Sequence, residues 1–337
     1  MRTRAWFSSF FHSAVAGALP LISMIGCGSS AVALHPPMLT PNATREATTP
    51  IEFAAIGAPT DPDAAIVVAG GVQPPGPAAA LTDGIRREIE ARAFHGGESG
   101  GYAVRCRLDR FALRRDSDKD DGYAVIYTDL GCEAKRKGDA ATVWRGELRG
   151  RTAAVGSRQF FPDAGVMDQV LADRAMSDVT RELASDLGLR VLELEGRPSA
   201  RLFADQDAQQ LLGGADDTPA GAAALAEDAD AAGKFVEAAH RNDLDANARA
   251  AAWNAIAMAS GPERPWIGGI DTQLADNTFV RFFQYKALAR HATPATMREL
   301  KTARGKEEHS LLLEFLHDLE PTGGLGITGR TPSTTSL

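Results

Sequence analysis

The sequence is short of basic residues and of long apolar runs. Its 337 residues include 36 Lys and Arg against 44 Asp and Glu, a formal net charge of -8. Because proteins that bind nucleic acid neutralise phosphates with clustered Lys and Arg, we expect no nucleic-acid partner. After the first 26 residues no stretch approaches about 18 uninterrupted apolar residues, so nothing there is expected to cross a membrane.

Motifs for catalysis, nucleotides and metals are also missing. The sequence has no Gly-x-Ser-x-Gly nucleophile motif and no Gly-x-x-x-x-Gly-Lys phosphate loop. The stretch Asp116 to Gly122 alternates aspartates as calcium loops do, but Tyr127 stands at the twelfth position, where such a loop needs a bidentate Glu. His309 and His317 lie two helical turns apart without a third ligand. We expect no catalytic residue, no bound metal and no cofactor, and a protein that is not an enzyme.

The amino-terminal segment has the features of a secretory signal. Arg2 and Arg4 supply a positive start, and an apolar stretch of about 13 residues runs from Ala14 to Gly26. A helix that spans a membrane needs about 20 apolar residues, so this stretch is too short. A charged start, a short apolar core and small residues at its end are typical of a cleaved signal peptide, here over residues 1–26. Ordinary secretion with cleavage after Ala33 is the alternative.

The segment Met24-Ile25-Gly26-Cys27 resembles the lipobox of bacterial lipoproteins, in which cleavage precedes a cysteine that carries the lipid. The resemblance implies acyl chains such as palmitate on Cys27, and stable anchoring because more than one chain is attached. Gly28 at the second mature position implies sorting to the outer membrane, with the protein facing the periplasm. The lipidated chain would keep two further cysteines, an even number in an oxidising compartment.

These two cysteines flank a predicted β-hairpin. Cys106 and Cys132 lie in segments of alternating apolar and polar residues, which predict strands, and a polar loop centred on Lys119 separates them. A symmetrical hairpin about Lys119 places the cysteines directly opposite each other on one face. Directly opposed residues have Cα atoms about 4.5 to 5.5 Å apart, a separation that a disulfide can bridge. We predict a disulfide; a pair of buried free thiols is the alternative.

The first predicted domain covers residues 51–198 and follows a flexible tether over residues 27–50 that is rich in Ser, Ala, Pro and Thr. Two short apolar runs, an amphipathic helix that includes Leu81, three alternating segments and a second helix ending at Gly188 follow in order. The segment "LRVLEL" after that glycine is predicted to be a closing strand. This order predicts an α+β fold, a small mainly antiparallel sheet with helices on one face.

The second predicted domain, residues 216–319, is helical throughout. A linker at 199–215 precedes it, and a disordered tail at 320–337 follows it. Within this domain residues 247–257 align with residues 279–289 at an offset of 32 positions. The fold class is therefore α+β followed by an all-α domain.

The aligned helical segments resemble HEAT-like repeats, whose stacked helices present a concave surface to protein partners. The alignment pairs Arg249 with Arg281 and Trp253 with Tyr285. The resemblance implies a partner-binding surface that includes these four residues, since Trp, Tyr and Arg are enriched at interaction hot spots. An ordinary irregular helical bundle, with the aromatic side chains in its core, is the alternative.

These features predict a lipid-anchored cell-envelope protein that acts by binding, as a scaffold for protein partners in envelope transport or assembly. The first domain loosely resembles small α+β domains of envelope lipoproteins that assist transporters or outer-membrane assembly, a likeness that does not establish function. Two alternatives stay open. One is an envelope hydrolase with a site that the sequence does not reveal, and the other is a carrier for a lipid or small ligand between sheet and helices.

Overall fold

The structure is a computed structural model, and several parts of the chain lie outside the residues that it describes. The predicted signal peptide, Cys27, the linker at 199–215 and the tail at 320–337 are among them. The described residues are 31–34, 50–91, 101–117, 121–139, 141–161, 163–195, 236–241, 243–259 and 274–319.

A mixed five-stranded sheet forms the centre of the fold. Its strands are β1 (Ile51–Phe53), β2 (Ile66–Val68), β3 (Tyr102–Ser117), β4 (Asp121–Arg136) and β5 (Thr142–Ser157). The three long strands β3, β4 and β5 form an antiparallel meander, as the alternating segments predict. The short strands β1 and β2 both pair in parallel with β3, and the helical turn α1 (Pro62–Ala65) leads into β2. The strands β1 and β2 cover the outer side of β3, and β5 forms the opposite edge of the sheet.

One β-bulge sets the register between β3 and β4. At the hairpin tip Ser117 pairs with Gly122, half a residue away from the predicted centre of symmetry. The register then shifts at Asp109, and beyond the shift Cys106 lies opposite Cys132. Without the bulge, Cys106 would face a neighbouring residue whose side chain points to the other side of the sheet. The predicted pairing is confirmed, but it depends on a bulge that a symmetrical hairpin does not include.

Two helices, α2 (Pro77–Ala91) and α3 (Ala164–Leu194), cover one face of the sheet. The apolar side chains between them and the sheet form what we call the first core. The residues that the sequence placed at helical spacing are all buried there, which confirms both helices. They are Leu81, Ile85 and Ile89 in α2, and Ala172, Met176, Val179, Leu183 and Leu187 in α3.

Gly188 does not end α3, contrary to the sequence prediction. The segment "LRVLEL" continues the helix to Leu194 and does not form a closing strand. Leu187 and Val191, four positions apart, are both fully buried on the same side of the helix. A glycine inside a helix costs about 1 kcal/mol relative to alanine, whereas burying one large apolar side chain contributes about 1.5 to 3 kcal/mol. Burial beyond the glycine therefore outweighs its cost.

Residues 31–34 belong to the folded body, which differs from the flexible tether predicted over residues 27–50. Val32 and Leu34 are each 2% exposed and lie in the first core. Val32 also forms a parallel bridge with Val72. Because only two large apolar side chains anchor this short stretch, no apolar period marks it in the sequence.

The helical region covers the opposite face of the sheet. The helices of this region whose bounds lie among the described residues are α4 (Ala246–Ala259), α5 (Thr278–His291), α6 (Pro294–Arg304) and α7 (Ser310–Asp318). Tyr123, Val125 and Tyr127 of β4 pack with these helices in what we call the second core. The α+β class is confirmed, and the helical region shares a core with the sheet. None of the described helices is long and apolar enough to span a membrane.

The internal match falls on equivalent positions of α4 and α5. Arg249 and Arg281 are the fourth residues of their helices, and Trp253 and Tyr285 are the eighth. The helix α5 contacts α4, α6, α7 and β5, so it has neighbours on several sides. A helix with neighbours on several sides is apolar on several sides, which explains why α5 shows no single apolar stripe.

Candidate functional sites

Cys106 and Cys132 form a disulfide, which confirms the prediction. Their Cα atoms lie 4.1 Å apart, and both side chains are buried on the side of the first core. The bond joins β3 to β4 across directly opposed positions. While it is intact neither sulfur can act as a nucleophile or a metal ligand, so its role is structural.

The four residues predicted to bind a partner lie within the helical region. Trp253 and Tyr285 are each 1% exposed and pack in the second core. The Tyr285 hydroxyl donates to Glu307 at 2.8 Å, and Arg281 donates to both oxygens of that carboxylate at 3.1 Å. Arg249 is partly buried and donates to a backbone carbonyl. The aromatic pair thus lies in the core, as in the alternative of an irregular bundle, and is not available as a surface.

Glu307 lies between α6 and α7 and ties that connection to α5. Burial alone would raise the pKa of Glu307, but hydrogen bonds from Arg281 and Tyr285 outweigh burial and hold the pKa below its usual range. Burial raises the pKa of Tyr285, and the hydrogen bond to Glu307 raises it further. The tyrosine therefore stays protonated as a donor, and the glutamate stays ionised as an acceptor.

A cluster of charged and polar groups, buried or half-buried, lies beside β5, and we call it the edge cluster. Its members are Glu182 and Asp186 of α3, Asn254 of α4, and Lys286 and Arg290 of α5. Glu182 accepts from Lys286 at 2.9 Å, from Arg290 at 3.1 Å and from the backbone N–H of Arg151 at 3.1 Å. Lys286 also donates to Asn254 at 3.0 Å, and Arg290 donates to Asp186 at 2.7 Å. The cluster therefore links a helix on one face of the sheet to helices on the other.

The two carboxylates and two cations of the edge cluster balance in charge. The side chains of Glu182 and Lys286 are each 3% exposed. Burial lowers the pKa of Lys286, and the charge of Glu182 opposes that shift.

Gly150 of β5 allows α3 to approach the strand as closely as the edge cluster needs. A Cβ atom at this position would lie 2.4 Å from the side chain of Val179. A side chain at position 150 would push α3 away from β5.

Arg151 joins the sheet to α7 through a second set of ion pairs. Its side chain is 8% exposed and donates to Asp129 at 2.6 Å and to Asp318. Arg110 also donates to Asp318. The guanidinium groups of Arg110 and Arg151 lie 5.3 and 5.7 Å from the centre of the Tyr127 ring. Burial, with the carboxylates nearby, raises the pKa of Tyr127, so its hydroxyl stays protonated.

Those residues considered as metal ligands that the structure describes are not assembled into a site. In the part of the chain that the structure describes, no group of three or more His, Cys, Asp or Glu side chains is placed to hold a metal ion. His309 precedes the first turn of α7, and the ring of His317 contacts an arginine. Of the acidic loop, residues 118–120 lie outside the described residues, and Asp116 accepts from Ser310 at 3.0 Å.

The edge cluster is a feature that sequence reasoning missed. The available signal was Lys286, which lies in the largely apolar segment "FVRFFQYKALA". A cation in a helix that becomes buried needs a carboxylate partner, because an unpaired buried charge is strongly unfavourable. Its partner Glu182 lies 104 positions earlier in the chain, and no local pattern connects the two.

The chain enters the fold beside the start of α3. Ala31, four residues after Cys27, is the first described residue. Ala33 and Gln169 exchange two hydrogen bonds, from the N–H of Ala33 to Oε1 at 3.1 Å and from Nε2 to the Ala33 carbonyl at 2.6 Å. Four residues extend at most about 14 Å. A group attached to Cys27 is therefore held within that distance of Ala31.

No family model matches the chain, and no curated protein matches it. Several solved structures resemble parts of it, among them three bacterial proteins. A candidate lipoprotein from Caulobacter crescentus is 18% identical, with 44% of this chain and 92% of that chain covered and a TM-score of 0.27. A minor lipoprotein from Acinetobacter baumannii is 10% identical, with 42% and 94% covered and a TM-score of 0.25. A DUF330 protein from Xanthomonas campestris is 15% identical, with 50% and 93% covered and a TM-score of 0.30. At these identities and TM-scores the likeness establishes neither a family nor a function for this chain.

Proposed function

We propose that this protein is a lipoprotein of the bacterial cell envelope, anchored through acyl chains on Cys27, and that it acts by binding a protein partner. The proposal combines the lipobox-like segment with the way in which residues 31–34 enter the fold. We further propose that the anchor lies in the outer membrane and that the body faces the periplasm, as Gly28 implies.

The observation that carries the proposal is the burial of Val32. Cleavage before Cys27 leaves all the described core residues in the mature chain. Cleavage after Ala33, the alternative for ordinary secretion, would remove Val32 from the first core and break both hydrogen bonds between Ala33 and Gln169. Losing a buried valine costs about 1.5 to 3 kcal/mol, so the fold disfavours cleavage after Ala33 and is compatible with the upstream cleavage that produces a lipidated cysteine.

Binding is favoured over catalysis because the buried charged groups already have partners within the fold. Glu182, Lys286, Arg151 and Glu307 all lie in ion pairs or hydrogen bonds that join one layer of the fold to another. Catalytic acids and bases are instead aimed at a cleft where a substrate can reach them. The buried ionisable groups of this fold therefore support structural roles. The hydrolase reading has no comparable observation in its favour.

Mass spectrometry of the membrane fraction tests the anchor directly. We expect a mature chain that starts at Cys27 and carries two or three acyl chains. The Cys27→Ala variant should move to the soluble fraction with an unchanged melting temperature, because position 27 precedes the described core. As the matched control, the double variant Cys106→Ala/Cys132→Ala should stay in the membrane fraction. A soluble mature chain beginning at Leu34 would contradict the proposal.

Crosslinking in living cells tests the partner. A protein that acts by binding should give a reproducible crosslinked species with the lipidated chain, and the species should weaken when Cys27→Ala releases the chain from the membrane. Hydrolysis of an envelope substrate by the purified protein, without any crosslinked species, would favour the enzyme reading instead.

A further inference from the structure

Exposed apolar side chains gather around the start of α3. Phe160 is 74% exposed, Val166 is 55% exposed and Val170 is 41% exposed, and we call these three residues the α3 patch. Phe160 lies in the turn between β5 and α3, and the two valines are one helical turn apart on the outer side of α3. Large apolar side chains that are exposed together often mark a surface that binds an apolar partner, whereas single exposed apolar side chains are common on any protein.

The α3 patch is held in a fixed position by its neighbours. The N–H of Phe160 donates to the carbonyl of Ser157 at 3.0 Å, which closes the turn after β5. The adjacent Phe161 packs against the first core and lies next to Gly156. The side chain of Asp163 accepts from two backbone N–H groups at the start of α3, at 2.7 and 3.0 Å. The exposed ring of Phe160 thus belongs to an ordered turn.

The α3 patch is also close to the point where the chain enters the fold. Gln169, which holds Ala33 by two hydrogen bonds, is three positions after Val166 and directly precedes Val170. Cys27 lies four residues before Ala31 and therefore stays within about 14 Å of it. An acylated cysteine at that distance would bring a membrane surface to this end of the molecule.

We propose that the α3 patch rests on the lipid surface next to the acylated Cys27, an inference that depends on the proposed lipid anchor. Aromatic side chains favour the boundary between lipid and water, and small apolar groups beside them add buried area. The helix α3 has 31 residues and is about 46 Å long. With the patch at the membrane, α3 would extend from the lipid surface into the periplasm, and the long strands of the sheet would extend in the same way.

Charge limits the kind of lipid contact that this end can make. The β3–β4 hairpin ends here as well, because Asp121 pairs with Ser157, and Asp116 and Asp121 flank its tip. An exposed arginine, Arg158, lies in the turn after β5, but these carboxylates and Asp163 outnumber it. Carboxylates are repelled by anionic headgroups, so the contact should be apolar and should not require anionic lipid. The expected surface is therefore a zwitterionic phospholipid layer.

Fluorescence quenching in proteoliposomes tests the orientation. The full lipidated chain is prepared with Phe160→Cys or Val166→Cys, labelled with an environment-sensitive fluorophore and inserted into phosphatidylcholine vesicles that contain a nitroxide-labelled lipid. The matched control is Val143→Cys, since Val143 is 39% exposed at the far end of β5. The strand places it about 45 Å from Ser157. Labels at 160 and 166 should lose at least half of their emission, and the label at 143 should change by less than a tenth.

The outcomes separate this inference from the proposed anchor. Protein that floats with the vesicles while its labels at 160 and 166 stay unquenched would overturn the orientation and leave the anchor standing. Equal quenching at 143 and 160 would overturn it as well. Shielding of the labels at high protein concentration without vesicles would assign the patch to a second copy of the chain. If the parent chain purified from membranes carried no acyl groups and did not float with the vesicles, both proposals would be overturned. Replacing about a third of the lipid by phosphatidylglycerol should change the quenching less than twofold.

Discussion

The two faces of the sheet are covered in different ways. The first core is mainly aliphatic, and a disulfide reinforces it between β3 and β4. The second core is rich in aromatic rings, such as the stacked pair Phe282 and Phe315, whose centres are 4.0 Å apart. Ion pairs join α7 and α5 to the sheet and to α3 on this side, and none of these pairs is local in the chain.

The difference indicates what each face contributes. An aliphatic core between amphipathic elements is stabilised in proportion to the apolar area that it buries, and many packings can bury a similar area. Buried ion pairs add little net stability, but they make a wrong arrangement costly, because a misplaced layer leaves charges without partners. We infer that the first face supplies most of the stability and that the charged contacts fix where the helical region sits.

The largest expected effect tests this division at the edge cluster. Glu182→Leu should lower the free energy of unfolding by about 3 to 5 kcal/mol, because the buried Lys286 and the half-buried Arg290 each have one acceptor fewer and the N–H of Arg151 loses its acceptor. Lys286→Met should cost much less, because Glu182 keeps two of its three donors and methionine fills a similar volume. Urea unfolding of the Cys27→Ala form would give both values.

The asymmetry between these two variants is the informative result. Equal costs would mean that the cluster behaves as a single ion pair, so that Glu182 is not its centre. A Glu182→Leu variant as stable as the parent would show that the charges contribute nothing to placing the helical region. Because both faces share the sheet, we expect a single unfolding transition for the parent chain.

The next effect concerns the disulfide of the first face. Replacing both cysteines by alanine should lower the free energy of unfolding by roughly 3 kcal/mol, since the bond closes a loop with a sequence separation of 26 residues. Reduction of the parent chain should reproduce that loss. The cysteines share no partner with the edge cluster, so the double replacement and Lys286→Met should be additive to within about 0.5 kcal/mol. A larger deviation from additivity would show that the two faces of the sheet do not contribute independently to stability.

The same division explains what could be predicted from the sequence. The strands and helices of the first face follow from alternation and from apolar spacing, as the stripe that ends with Leu187 shows. The disulfide also followed, although the bulge at Asp109 that aligns the cysteines has no signature in the sequence. Gly188 misled the prediction, because the cost of a glycine is visible locally whereas the burial of Val191 depends on a sheet formed by distant residues.

The second face was less predictable for a physical reason. The residues of α4 and α5 were identified as helical, but the partners that surround them come from β4, β5 and α3. A helix in contact with several neighbours has no single apolar side, so its pattern does not show which side meets the sheet. Trp253 and Tyr285 looked like binding residues because hot spots and cores favour the same aromatic types.

The smallest expected effect is a dependence on pH at Glu307, on the second face only. Hydrogen bonds from Arg281 and Tyr285 hold the pKa of Glu307 below its value in the unfolded chain, despite burial. The stabilisation that the ionised Glu307 contributes to the fold is therefore complete above about pH 4.3 and is lost as the pH falls through the folded pKa. Glu307→Gln should therefore cost about 1 to 2 kcal/mol at pH 7 and progressively less at lower pH. Urea unfolding from pH 7 to pH 3 would measure the difference.

Asp243 supplies the matched control for that experiment. A hydrogen bond from Arg241 also lowers the pKa of Asp243, but this pair is exposed and solvent screens it. Asp243→Asn should therefore leave the stability nearly unchanged at every pH. If both variants followed the same curve, the response to acid would reflect general charge and not the buried hydrogen bonds around Glu307. A response of Glu307→Gln alone would show that the buried hydrogen bonds around Glu307 are sensitive to acid while the exposed pair of Arg241 and Asp243 is not.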